Sequence, residues 1–159
     1  MPLSNAPYIR MRRPLSLPIA PAPLPDGITL APFTMETASA SRTLMKRVYT
    51  DLGDNDISFE GFWNWLTTDP EYDPQLMFVA AADGAVVGLC HCWNTGFIKD
   101  LVVAPEFRRR GLGTALLTIA LSAFAHRGAS SVDLKTDANN LTAQSLYRKL
   151  GFEIVERVG

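Results

Sequence analysis

Cysteine is scarce: Cys90 and Cys92 are the two in 159 residues. They stand one residue apart on a presumed strand, too close to build a disulfide framework, and this favours a reducing, intracellular setting. An excess of charge of either sign is also lacking. Lys and Arg number 15 against 16 Asp and Glu, a net charge of -1, which gives no bulk reason to expect nucleic acid or an anionic membrane as partner. No run of about 18 apolar residues occurs, so a spanning helix is excluded. Arg10, Arg12 and Arg13 precede an apolar stretch, but Pro14, Pro18, Pro21 and Pro23 interrupt it and no small-residue cleavage pattern follows. A secretory signal is therefore not expected, and a cytoplasmic protein is. With 47% hydrophobic and 19% charged residues, the chain has the profile of one soluble globular domain, and wholesale disorder is excluded.

Proline is present but unevenly spread: seven of the 11 lie at or before Pro25. Residues 1–27 accordingly read as a Pro-rich N-terminal arm, extended and polyproline-like, outside the core and available to pack on the body of the protein or on a second subunit as a homodimer. Residues 28–159 read as the folded domain. Its pattern begins with a short strand at 28–33. One helix is marked by Leu44, Met45, Val48 and Leu52 on a common face. A second is capped by Ser58, with Phe59, Phe62, Trp63 and Leu66 at helical spacing. Strands at 75–82 and 85–93 flank Asp83-Gly84, a pair suited to the positive backbone angles of a hairpin turn. A third strand spans 97–103. The period then changes to that of a helix from about 113 to 126, stopped by Gly128, before a strand at 132–136, a helix at 141–150 and a strand at 152–158. This order predicts an α/β protein with a mixed central sheet, antiparallel through its hairpins and parallel where a helix crosses over.

The stretch from Val103 to Thr114 contains Arg108-x-x-Gly111-x-Gly113 between a strand end and a helix start. Glycines let backbone N–H groups approach a ligand, the helix N-terminus carries partial positive charge, and Arg108, Arg109 and Arg110 add full charges. An anionic diphosphate is the natural guest, with a solvated basic turn as the plain alternative. No Gly-Lys-Ser or Gly-Lys-Thr follows, which removes the P-loop. A dinucleotide fingerprint fails because Leu116 occupies its third small position.

Following Leu-Val-Val-Ala-Pro, the Arg108-x-x-Gly111-x-Gly113 segment resembles the acyl-CoA signature of the GNAT superfamily of N-acetyltransferases. A second segment, Asn140-x-x-Ala143-x-x-Leu146-Tyr147-x-x-x-Gly151-Phe152, is similar to that superfamily's final helix motif. The resemblance is close from Phe97 to Phe152 and looser back to Ile28. It implies the GNAT fold, a mixed sheet flanked by helices with two splayed parallel strands. It implies acetyl-CoA as cosubstrate, the pyrophosphate held by the backbone of Arg108, Arg109, Arg110, Gly111, Leu112, Gly113 and Thr114. The pantetheine arm would pair with backbone groups of Leu101, Val102 and Val103, with Asn140, Ala143 and Tyr147 completing the cosubstrate site. In this reading Tyr147 protonates the departing thiolate; its plain alternative is a packed aromatic on a helix face.

Asp100 lies at a place where some relatives have an acidic residue, although the neighbouring position holds Lys99 and another common position for a base holds Phe97. It serves either an ammonium or its proton, or as a paired structural carboxylate. Cys90-His91-Cys92 has no second cluster to complete a metal site, so no metal is expected and the cysteines read as buried small residues. From 51 to 73 there are seven acids and no Lys or Arg. With Trp63 or Trp65 these would attract a small cationic amine; capping and a solvated face are the alternative. The expected activity is acetyl transfer to a primary small-molecule amine, with no role for nucleic acid or membrane. A non-catalytic CoA-binding sensor is the rival.

Overall fold

The computed structural model describes residues 6–49 and 58–159. Seven strands form one sheet: β1 Tyr8–Pro14, β2 Thr29–Ala31, β3 Met77–Ala82, β4 Ala85–Trp93, β5 Phe97–Val103, β6 Ser131–Asp137 and β7 Glu153–Val158, in the spatial order β2-β3-β4-β5-β6-β1-β7. Among the described residues four α-helices accompany them: α1 Met35–Val48, α2 Phe59–Thr68, α3 Leu112–His126 and α4 Leu141–Lys149. All pairs are antiparallel except β5 with β6. The mixed α/β sheet expected from the element order is the one observed.

Local chemistry explains the boundaries. Asp83 and Gly84 both adopt positive φ, 51° and 80°, so the β3–β4 hairpin closes as its sequence requires. Ser58 caps α2 by accepting from the Gly61 N–H. Helix α1 starts at Met35 because Thr34 and Thr37 form a reciprocal capping box. Of its expected apolar face, Leu44 is buried, Met45 and Val48 pack against the core, and Leu52 lies outside the described residues.

The Pro-rich leader is where expectation and structure part. Residues 8–14, read as outside the core, form β1 between β6 and β7, and Ile9 and Met11 are among the most buried side chains of the protein. The reason is a period-two alternation hidden among the prolines. Ile9, Met11 and Arg13 face the packed side while Arg10 and Arg12 face the other. Arg13 is buried, and its guanidinium donates to the carbonyls of Leu150, Pro14, Leu17 and Pro18 at 3.0, 2.6, 2.8 and 2.8 Å. A buried cation is tolerated because its donors are satisfied. Leu15, Ile19 and Leu24 continue against the core.

Helix α3 packs across the middle of the sheet, and its approach depends on Gly88 in β4. A Cβ there would stand 3.1 Å from Leu116 Cδ1 and 3.2 Å from Leu112 Cδ2. This contact fixes the height of the first turn of α3 above the sheet.

Candidate functional site: a cleft between parted strands

Strands β5 and β6 pair at only two positions, Phe97 with Asp133 and Ile98 with Leu134. One further bond, from the Asp133 N–H to the Gly96 carbonyl at 2.9 Å, closes the ladder below them. From Lys99 onward the strands part. On its other edge β5 stays hydrogen-bonded to β4, with a register shift between His91 and Cys92 at the level of Lys99. Strand β6 stays bonded to β1. The Ala104 N–H bonds to the Val87 carbonyl, so alternation along β5 turns the backbone groups of Val102 towards Leu89 of β4 and those of Leu101 and Val103 towards a wedge-shaped opening in which no described strand satisfies them.

The opening leads to the start of α3. Arg109 and Gly111 take left-handed conformations, φ 64° and 86°, which turn the chain from a short 3-10 turn at Pro105–Phe107 into the helix. Gly111 is the N-cap and has no side chain to offer. Among the described residues, the N–H groups from Arg109 to Thr114 meet no acceptor, so they and the helix dipole make an anion-ready surface. Arg108, Arg109 and Arg110 are exposed around it. Arg108 Nε donates to the Val103 carbonyl at 3.3 Å, Arg110 lies over the Phe107 ring, and Arg47 of α1 pairs with Glu106. Leu112 is buried in the core, so its side chain anchors the turn while its backbone faces outward.

Helix α4 forms the other flank. The Asn140 side chain accepts from the Ala143 N–H at 3.1 Å, so it is a helix cap. Ala143 and Leu146 pack on the core, and a Cβ placed on Gly113 would lie 3.7 Å from Leu146 Cδ2 and 3.9 Å from Val103 Cγ2. The two sequence segments that carried the resemblance thus meet at Gly113. Tyr147 is 3% exposed, packs edge-on against Phe152, and burial raises its phenol above its ordinary value. The group keeps its proton at any working pH.

Asp100 is buried in a polar cluster. Its carboxylate accepts from Lys99 Nζ at 3.0 Å and lies 3.8 Å from His91 Nδ1. Burial pushes it up, but the positive charge beside it, Lys99 included, outweighs burial and holds it below the ordinary carboxylate range. That is the environment of a paired carboxylate and a poor one for a general base. Tyr49, just past the end of α1, lies beside Asp100 and Tyr147, and burial followed by the Asp100 charge raises its phenol. Burial pushes His91 down to about 4, so it is neutral at pH 7, and its Nε2 has no hydrogen-bond partner among the described residues. Neither Tyr49 nor His91 stood out in the sequence as part of this cluster. The only local signal was the alternation that sets His91 opposite in face to the cysteines.

Cys90 and Cys92 are buried with sulfurs 3.7 Å apart, and burial raises the Cys92 thiol. Among the described residues no group of three or more His, Cys, Asp or Glu side chains is arranged to hold a metal ion. No described helix is long and apolar enough to cross a membrane.

Of the acids expected to draw in a cation, Asp69, Glu71 and Asp73 each have other partners. Asp51, Asp54 and Asp56 lie outside the described residues. Asp73 pairs with Arg127 at 2.7 Å, Asp69 caps the Glu71 N–H, and Glu71 accepts from the Thr95 hydroxyl. Trp63 stacks near Phe33, while Trp65 is half exposed with Lys99 over its ring.

Comparison with known proteins agrees with this geometry. The family model described as "Acetyltransferase (GNAT) family" matches residues 42–152. Mycothiol acetyltransferase of Clavibacter michiganensis subsp. michiganensis is 32% identical over 134 residues, covering 82% of this chain and 44% of that protein. Mycothiol acetyltransferase of Thermobispora bispora is 31% identical over 159 residues, covering 90% and 52%. The chain spans about half the length of these curated relatives. Among solved structures, a GCN5-related N-acetyltransferase from Sphaerobacter thermophilus superposes with a TM-score of 0.76 at 27% identity, covering 96% of this chain and 49% of that one.

Proposed function

Because the chain belongs to the acetyltransferase (GNAT) family, we propose that it transfers an acetyl group from acetyl-CoA to the nitrogen of a primary small-molecule amine, by direct attack within a ternary complex. The observation that supports this most is the pairing of β5 with β6 at two positions only, beside a helix start whose N–H groups are free. Both features suit the cosubstrate: the N–H groups from Arg109 to Thr114 match the acceptor oxygens of a pyrophosphate, and the opened strand edges match the amides of a pantetheine arm.

In the proposed reaction, Leu101, Val102 and Val103 align the arm as an added strand and leave an N–H to hold the carbonyl oxygen as it gains charge. The cleft orders both reactants, which removes much of the entropic barrier. The neutral amine nitrogen bonds to the thioester carbon, the C–S bond breaks, and the ammonium proton leaves to water or a neighbouring base. The sulfur takes the electron pair and receives a proton or hydrogen bond from Tyr147, the protonated group on the α4 flank. Arg108, Arg109 and Arg110 add long-range attraction for the phosphates. Asn140 acts as the cap that sets α4, and Asp100 with Lys99 as a charge pair beside the strand shift. Residues 8–14 of the leader pair with β6 and β7 of the same chain, and a homodimer is kept as a proposal.

Calorimetric titration with acetyl-CoA beside CoA, NADH and ATP, followed by thiol release with an amine panel, tests the proposal. Selective binding of the CoA pair with amine-dependent thiol release supports it. Selective binding without release for any amine points to the CoA-binding sensor.

A further inference from the structure

Resting on that reading, the structure also bears on what the acceptor carries besides its amine. A cavity of about 480 Å³ opens on the face of the sheet opposite the cluster that holds Ile98, Leu134 and Tyr147. Alternation puts Arg10 and Arg12 of β1, Phe97 of β5 and Asp133 and Lys135 of β6 on this one face, and Trp93 at the end of β4 completes the wall. Phe97 and Asp133 are also the first pair of the short parallel ladder, so the cavity sits at the closed end of the wedge, where the parted strands begin. Trp93 stacks on Phe97 with ring centres 5.3 Å apart, and Lys99 lies 5.9 Å from the Trp93 ring. The cavity therefore borders the strand shift from the side away from α3.

Its chemistry is that of an anion receptor. Three cations, Arg10, Arg12 and Lys135, line it against the two acids Asp133 and Glu71, and Glu71 is engaged by Thr95. Asp133 is almost fully buried and orients the arginines: Arg12 binds it through Nε and Nη2 at 2.8 and 3.0 Å, and Arg10 through Nε at 2.7 Å. Arg10 uses Nε alone for this, which leaves its terminal nitrogens for a guest while the guanidinium lies over Phe97. Lys135 lies over the Tyr8 ring, and no described carboxylate pairs with it. A planar fork held in place by a buried carboxylate is pre-organised for a second anion, and Trp93 and Phe97 flank the contact.

We infer that this cavity is the acceptor site, and that the acceptor is an amine bearing an anionic group, carboxylate or phosphate, held by Arg10 and Lys135 with its amine directed towards the parted strands. This departs from the cationic acceptor that the acid-rich 51–73 segment suggested.

The test uses matched amines with the whole 159-residue chain saturated in CoA or acetyl-CoA: L-amino acids beside their amides, and O-phosphoethanolamine beside ethanolamine. Binding heat is measured with CoA and thiol release with acetyl-CoA. The expected result is an advantage of at least about tenfold in kcat/KM for the anionic member of a pair, as a charge-assisted contact gives. Arg10→Gln and Lys135→Gln should abolish it through KM while leaving acetyl-CoA affinity unchanged. The phosphate and carboxylate arms show which anion fits. Equal or better use of the neutral or cationic member, or neither heat nor turnover with any anionic amine while CoA binds, overturns the inference and leaves acetyl transfer standing. Failure of CoA to bind would instead remove the proposed function itself.

Discussion

Ile98 and Leu134 are the last partners on the parallel ladder between β5 and β6. Beyond them each strand keeps its outer neighbour and loses the inner one, so the sheet carries a built-in opening whose edges are backbone and not side chain. The proposed function rests on that pair: a ligand with alternating amide donors and acceptors would repair the gap, and a phosphate-bearing end of the same ligand would meet the free N–H groups at the start of α3.

Gly111 tests the helix end of this arrangement. Its φ of 86° disfavours any L side chain by about 1–2 kcal/mol, so Gly111→Val should tilt the N–H groups away from a common target. Calorimetry should show acetyl-CoA affinity reduced roughly tenfold, the same strain expressed as binding, with the thermal midpoint lowered by only a few degrees.

Gly88 tests the packing that positions the same turn. With Leu116 and Leu112 at 3.1 and 3.2 Å from where a Cβ would go, Gly88→Val overfills the interface and should lower stability by about 1–3 kcal/mol. Chemical denaturation measures it. Gly88→Ala should fall between the variant and the wild type.

Arg13 joins the leader to the end of α4. Arg13→Met keeps much of the stem and leaves four carbonyls without their donor, and the expected loss is about 1–3 kcal/mol. Deleting residues 1–14 is predicted to do more, because it removes β1 and leaves β6 and β7 without the strand between them. Loss of a single cooperative unfolding transition is the expected result, and an unchanged transition would contradict the placement of β1.

His91 makes stability pH-dependent. Burial holds its folded value at about 4 against 6.5 unfolded, so the unfolded chain takes up a proton first as pH falls. Stability is then undiminished above about 6.5 and lost progressively between 6.5 and 4, by about 3 kcal/mol in all. His91→Gln should flatten the denaturation free energy across that window.

Much of this architecture was legible because local chemistry agreed with the final packing. Asp83-Gly84 announced a hairpin, Ser58 and Asn140 announced helix starts, and Arg108-x-x-Gly111-x-Gly113 announced the anion-ready turn. Strand β1 was obscured because the prolines around it dominate the composition, while its own alternation of Ile9, Met11 and Arg13 is only a few residues long. The α1 start was equally quiet, since its capping box uses Thr37 where Glu or Gln is the usual signal. The basic cavity has no local signal at all. Arg12 and Asp133 are 121 residues apart and meet only through the register of β1 on β6.

Tyr147 tests the chemical step. Tyr147→Phe keeps the ring against Phe152 and removes the hydroxyl. Acetyl-CoA affinity should be unchanged while kcat falls about 100-fold, the lower range for loss of a positioned acid. Single-turnover thiol release measures it.

The most direct test is amide NMR of the labelled protein titrated with acetyl-CoA, beside ATP and NADH. The account predicts that the largest shifts fall on the N–H groups of Arg109 to Thr114 and of Leu101 to Val103, and that neither ATP nor NADH reproduces them. Absence of binding, or shifts centred away from both segments, would contradict it.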